Sequence, residues 1–153
     1  MKIETLKDFL MWTQKFHQNL AVCMKDCADK NEDEPAKMML KYLSRNENKL
    51  ATIIGRFTLI SDEKALNTWT YEFFDKSTII QHDVDCIEPF KEIKPKQIVD
   101  KVIIQHNEII TLYRDLYSIA VVASTKELLE ELISLEENHI KQMAQSANRM
   151  NDL

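Results

Sequence analysis

Hydrophobic positions recur every three or four residues over most of the chain, the spacing that lines one face of an α-helix. From Thr5 to Asp29 the stripe runs through Leu6, Phe9 and Leu10, Thr13, Phe16 and His17, Leu20, Cys23 and Met24, and Cys27. The polar run Asn31-Glu32-Asp33-Glu34-Pro35 interrupts it. Pro35 suits the first position of a new helix, where its missing N–H has no partner to lose. A second helix is predicted to about Phe57, with Leu40, Leu43, Glu47, Leu50, Ile54 and Phe57 on one stripe. So short a break predicts antiparallel neighbours.

A long connection follows, from about Thr58 to Pro95. Within it Ser61-Asp62 can cap a short helix carrying Ala65, Leu66, Trp69, Phe73 and Phe74. The stretch from His82 to Phe90 and Lys94-Pro95-Lys96 read as irregular. A third helix is predicted from about Lys96 to Ala123. It is apolar over much of its circumference, through Ile98, Val99, Val102, Ile103, Ile104, Ile109, Ile110, Leu112 and Leu116. A helix of that kind is central in a bundle or also covers a dimer interface. Ser124-Thr125-Lys126-Glu127 has the capping-box pattern and predicts the start of a fourth helix, running to about Arg149. Its stripe is Leu129, Leu132, Glu136, His139, Met143, Ser146 and Met150.

The expected architecture is therefore all-α, an antiparallel four-helix bundle with a long crossover connection containing a short helix. A length of 153 residues suits one domain, 1–153. One glycine and three prolines leave little room for the tight turns of a β-rich fold. The formal net charge of −5, without a clustered Lys/Arg stripe, disfavours nucleic acid as a partner. Charges interrupt the opening ten residues before a signal-peptide core forms, and the apolar stretch Ile119–Ala123 is too short to span a bilayer. The expectation is a cytoplasmic protein with no membrane association. Three cysteines, Cys23, Cys27 and Cys86, argue against a disulfide framework. Cys23 and Cys27 share a helical face, as small core residues or as a soft-metal or redox pair.

Candidate chemistry lies in acidic and imidazole groups set inside apolar stripes. Glu47 stands between Leu43 and Leu50, and Glu136 and His139 stand between Leu132 and Met143. A carboxylate withdrawn from water is costly unless it is paired or coordinates a cation. In Glu136-x-x-His139 the two side chains project the same way, so a carboxylate oxygen and an imidazole nitrogen can reach one ion. His82, Asp83, Asp85 and Cys86 carry ligand-type atoms without a recognised spacing and read as solvated loop. Trp69, Phe73 and Phe74 read as core or interface.

The order of two helices, long crossover, two helices resembles the ferritin-like superfamily, especially its rubrerythrin-like members. That family places one Glu on the first and third helices and Glu-x-x-His on the second and fourth. The resemblance rests on Glu136 and His139 in Leu135-Glu136-Glu137-Asn138-His139-Ile140, and on Glu108 five residues before Tyr113. The halves also resemble each other: Gln18 to Glu108 is 108 − 18 = 90 residues and Glu47 to Glu136 is 136 − 47 = 89. This puts Gln18 in the first-helix Glu slot and Leu50 in the second-helix His slot. The resemblance thus implies a reduced ligand set of Glu47, Glu108, Glu136 and His139. His17 beside the vacated slot could add a nitrogen, although it points about 100° away on an ideal helix.

Two functions stay open at this point, with a competent dinuclear enzyme as a third. One is a divergent ferritin-like protein holding one iron, manganese or zinc ion, with a redox or metal/oxidative-stress role and, if an enzyme, acting as a metal-dependent oxidoreductase. In the other, Glu108 and Glu136 pair with basic side chains, His139 is a core histidine, and a metal-free bundle works as a structural or interaction homodimer. No nucleophile elbow or Gly-rich phosphate loop is present.

Overall fold

Two helical hairpins form the body of the molecule, and their starts follow from local chemistry. The computed structural model describes residues 2–76 and 94–151. Helix α1, Leu6–Lys30, begins where the Thr5 hydroxyl accepts from the Asp8 N–H and the Asp8 carboxylate accepts in return from the Thr5 N–H. Helix α2, Glu34–Ile60, begins where the Asp33 carboxylate accepts from the Ala36 N–H at 3.0 Å, with Pro35 in its first turn. Two short helices follow, α3 at Glu63–Leu66 and α4 at Tyr71–Lys76. Helix α5, Pro95–Ile119, and helix α6, Ala123–Asn151, make the second hairpin. The one β-type pairing among the described residues is an isolated bridge between Thr5 and Trp69.

α1 packs on α2 and α5 on α6, and the two hairpins close on one apolar core. Phe9 sits at its lower end, with ring centroids of Trp12, Tyr113 and Phe74 at 5.8, 5.4 and 4.7 Å. Leu6 at the start of α1, Leu116 and Ile119 at the end of α5, and Thr125 and Leu129 at the start of α6 line one cavity of about 230 Å³. These helix ends therefore share one pole of the bundle. No helix among the described residues is long and apolar enough to cross a membrane.

Three local expectations are corrected. The single short helix carrying Ala65 to Phe74 is two helices. Between them the backbone pairs with the entry to α1: the Leu6 N–H donates to the Thr68 carbonyl at 2.9 Å and the Thr70 N–H to the Glu4 carbonyl at 2.8 Å. Of the aromatic residues there, Phe74 is buried in the core and Trp69 is 61 % exposed. The third helix of the sequence reading ends at Ile119, where the Ala120 N–H closes onto the Leu116 and Tyr117 carbonyls. Residues 120–122 then form the turn. Ser124 consequently lies inside α6 rather than in front of it, and the Val122 carbonyl accepts from the Lys126 N–H.

Cys23 and Cys27 are both buried on α1. Cys27 is a thiol and Cys23 is disulfide-bonded, so they are not bonded to each other. His82, Asp83, Asp85 and Cys86 lie outside the described residues.

Candidate metal centre

Measured from the shared pole, four interior residues sit at one level. His17 is eleven residues from the start of α1 (17 − 6), Glu47 thirteen from the end of α2 (60 − 47), His106 thirteen from the end of α5 (119 − 106), and Glu136 thirteen from the start of α6 (136 − 123). At 1.5 Å per residue each stands about 17–20 Å up its helix. All four are 0 % exposed.

Their side chains close a ring. His17 Nδ1 meets Glu47 Oε2 at 2.7 Å and His17 Nε2 meets Glu136 Oε1 at 2.8 Å. His106 Nδ1 meets Glu136 Oε2 at 2.8 Å and His106 Nε2 meets Glu47 Oε1 at 2.5 Å. Each imidazole thus gives Nδ1 to the carboxylate of its own hairpin and Nε2 to that of the other. The two rings stack at 4.9 Å with 19° between their planes. His139 is a fifth member, with Nε2 3.2 Å from Glu47 Oε1 and its ring 4.9 Å from that of His106. At 7 % exposure, it alone of the five touches solvent.

The charges follow from these contacts. An ionised carboxylate only accepts, so imidazoles bonded through both nitrogens to carboxylates must carry both protons. Burial opposes a charge on His106, but Glu47 and Glu136 outweigh it and push its pKa up to about 10. The same balance raises His17, with Glu136 the stronger partner. Burial likewise opposes ionised Glu136, yet His17 and His106 hold it down to about 2; Glu47 is held well below the usual range against the same burial, chiefly by His106 and His17. With both rings protonated, two positive and two negative charges cancel. With both rings neutral, two carboxylates leave a charge matched by one divalent cation.

Ligand-type atoms of His17, Glu47 and His106 lie within 4.8 Å of one another. Two imidazoles and a carboxylate form a donor set that suits a borderline divalent transition ion better than a hard one. The same donors do not suit a carboxylate-bridged pair of ions. A dinuclear carboxylate centre needs acidic groups from the first and third helices, and here α1 and α5 supply His17 and His106.

Of the four residues drawn from the sequence, Glu47, Glu136 and His139 come together. Glu108 does not: it is exposed on α5, as Gln18 is exposed on α1. The inward positions are one residue earlier at His17 and two earlier at His106, because the core stripe of α5 runs Val102, His106, Ile109, Tyr113, all buried. His17 therefore points into the bundle, and His106 was missed. Its signal was available: 106 − 17 and 136 − 47 both equal 89, a single offset where the Gln18–Glu108 alignment needed two.

No family model and no curated protein matches this sequence. A solved structure from Thermotoga maritima, described as a candidate ferritin-like diiron-carboxylate protein, is similar over 94 % of this chain and 95 % of its own, with a TM-score of 0.61 and 15 % identity. At that identity the likeness is one of fold: this chain has the ferritin-like helical-bundle fold.

Proposed function

We propose that the buried cluster binds one divalent transition-metal ion, iron, manganese or zinc, and that the protein has a redox or metal/oxidative-stress role. The observation that carries this reading is the convergence of five ligand-type side chains from four helices in one interior cluster. A ferritin-like fold, and a structural neighbour described as a diiron-carboxylate protein, support it. The charge count favours one ion over two.

Bound iron or manganese would supply electron-transfer chemistry that no side chain here provides. The chain's own residues hold and orient. His17 Nδ1 and His106 Nδ1 keep their hydrogen bonds to Glu47 and Glu136, which fixes each ring and its tautomer and would leave His106 Nε2 as a donor to the ion. An imidazole that took the ion would give up its second proton to do so. Apolar packing around the level keeps bulk water out.

Elemental mass spectrometry on protein purified without chelator, then challenged separately with iron(II), manganese(II) and zinc(II), tests the reading. The expected result is about one tightly held ion per chain, lost in Glu47→Gln and His106→Ala. No retained metal under any condition would overturn it.

A second reading has its own support. The four-residue ring satisfies all its nitrogens and oxygens without any ion. In addition, Trp69, Ile119, Val121 and Val122 are exposed around the cavity at the shared pole. A metal-free bundle acting as a homodimer through that pole accounts for both. A monomer by sedimentation at high concentration would count against it.

A further inference from the structure

The ring repeats itself down to atom names, and the one break in that repeat has a chemical consequence. His17 corresponds to His106 and Glu47 to Glu136, each at an offset of 89 (106 − 17, 136 − 47). The contact of His17 Nε2 with Glu136 Oε1 corresponds to that of His106 Nε2 with Glu47 Oε1. The pair of hairpins therefore builds two equivalent corners, one at each Oε1. At the Glu47 corner a second imidazole arrives, His139 Nε2. The residue corresponding to His139 at the Glu136 corner is Leu50 (139 − 50 = 89), 2 % exposed and without a donor atom.

Resting on the reading that the cluster binds a metal ion, we infer that Leu50 fixes its nuclearity. The ion sits at the Glu47 corner, held by Glu47, His106 and His139, and Leu50 closes the equivalent corner beside Glu136 and His17. Two imidazoles and one carboxylate make a set that holds a divalent transition ion. One imidazole and one carboxylate, walled by an aliphatic side chain, do not. The solvent contact of His139 puts the route of entry at the occupied corner.

The test compares wild type with Leu50→His, His139→Leu and the double swap Leu50→His/His139→Leu. Each is loaded with zinc(II), a redox-inert probe, desalted and measured by elemental mass spectrometry, with circular dichroism to report folding. Wild type should keep about one ion, Leu50→His about two, His139→Leu none, and the swap about one, restored at the opposite corner. Recovery in the swap separates coordination from packing, since both single changes disturb the core. One ion in wild type and still one in folded Leu50→His overturns the inference and leaves metal binding standing. An ion retained by folded His139→Leu, or no recovery in a folded swap, also overturns it. No ion in wild type removes both readings together.

Discussion

The α1–α2 and α5–α6 hairpins place the same residues on the same level and then diverge at one position. Each contributes an imidazole from its first helix and a carboxylate from its second, bonded to its counterpart with the same atoms at 2.5–2.8 Å. Three residues further along the second helix, one hairpin presents Leu50 and the other His139. The difference teaches that charge balance and coordination are separable here. The four-residue ring balances its charges in both halves alike, whereas donor number differs between them. Glu47 receives three imidazoles and Glu136 two, so the carboxylate of the α1–α2 hairpin is the more heavily used.

The largest expected effect tests that inequality. Glu47→Ala should destabilise the metal-free protein by about 3–5 kcal/mol, since it strands buried positive charge, and Glu136→Ala should cost measurably less. Urea denaturation with chelator present checks this, and equal costs would break the asymmetry.

Packing should instead be symmetric. Leu43 and Leu132, also related by 89 (132 − 43), are both fully buried. Truncation of either to Ala should cost about 2–4 kcal/mol. A gap between them as large as that between the two glutamates would mean the hairpins differ in core as well as in site.

Acidity gives a smaller, graded effect. Glu136, brought down from 4.5 to about 2, contributes stability that is complete above about pH 4.5 and is lost as pH falls through its folded value. His106, brought up from 6.5 to about 10, contributes stability that is complete below about pH 6.5 and is lost as pH rises through its folded value. The metal-free protein should thus be most stable between these limits and lose about 1.4 kcal/mol per pH unit above them for each imidazole that deprotonates. Thermal melts in chelator check the sign; a melting temperature rising from pH 7 to 9 would contradict it. With a bound ion the trend should reverse over the same range, because protons compete with the metal.

The smallest effect compares helix starts. Thr5→Ala should cost about 1 kcal/mol by removing the cap of α1. Ser124→Ala, although it alters a sequence with the same capping pattern, should stay within about 0.5 kcal/mol because Ser124 lies inside α6. Chemical denaturation of both variants decides between the pattern and the observed boundary.

The four long helices, their order and the inward stripes of α2 and α6 were legible in the sequence, because a 3.6-residue period repeated over 25 or more residues per helix leaves few alternatives. Glu47, Glu136 and His139 were legible for the same reason, as polar groups inside long apolar stripes. His106 and Glu108 were not told apart, since a helix that is apolar over much of its circumference does not declare its inward direction. The boundary of α3 and α4 depended on hydrogen bonds to Glu4 and Leu6, more than sixty residues away in the chain (68 − 6). Sequence alone thus determined an all-helical chain with two similar hairpins and acid buried in the second helix of each. Only the tertiary structure decided which imidazoles meet those acids, because that choice is set by how the hairpins rotate against each other, and period cannot encode rotation.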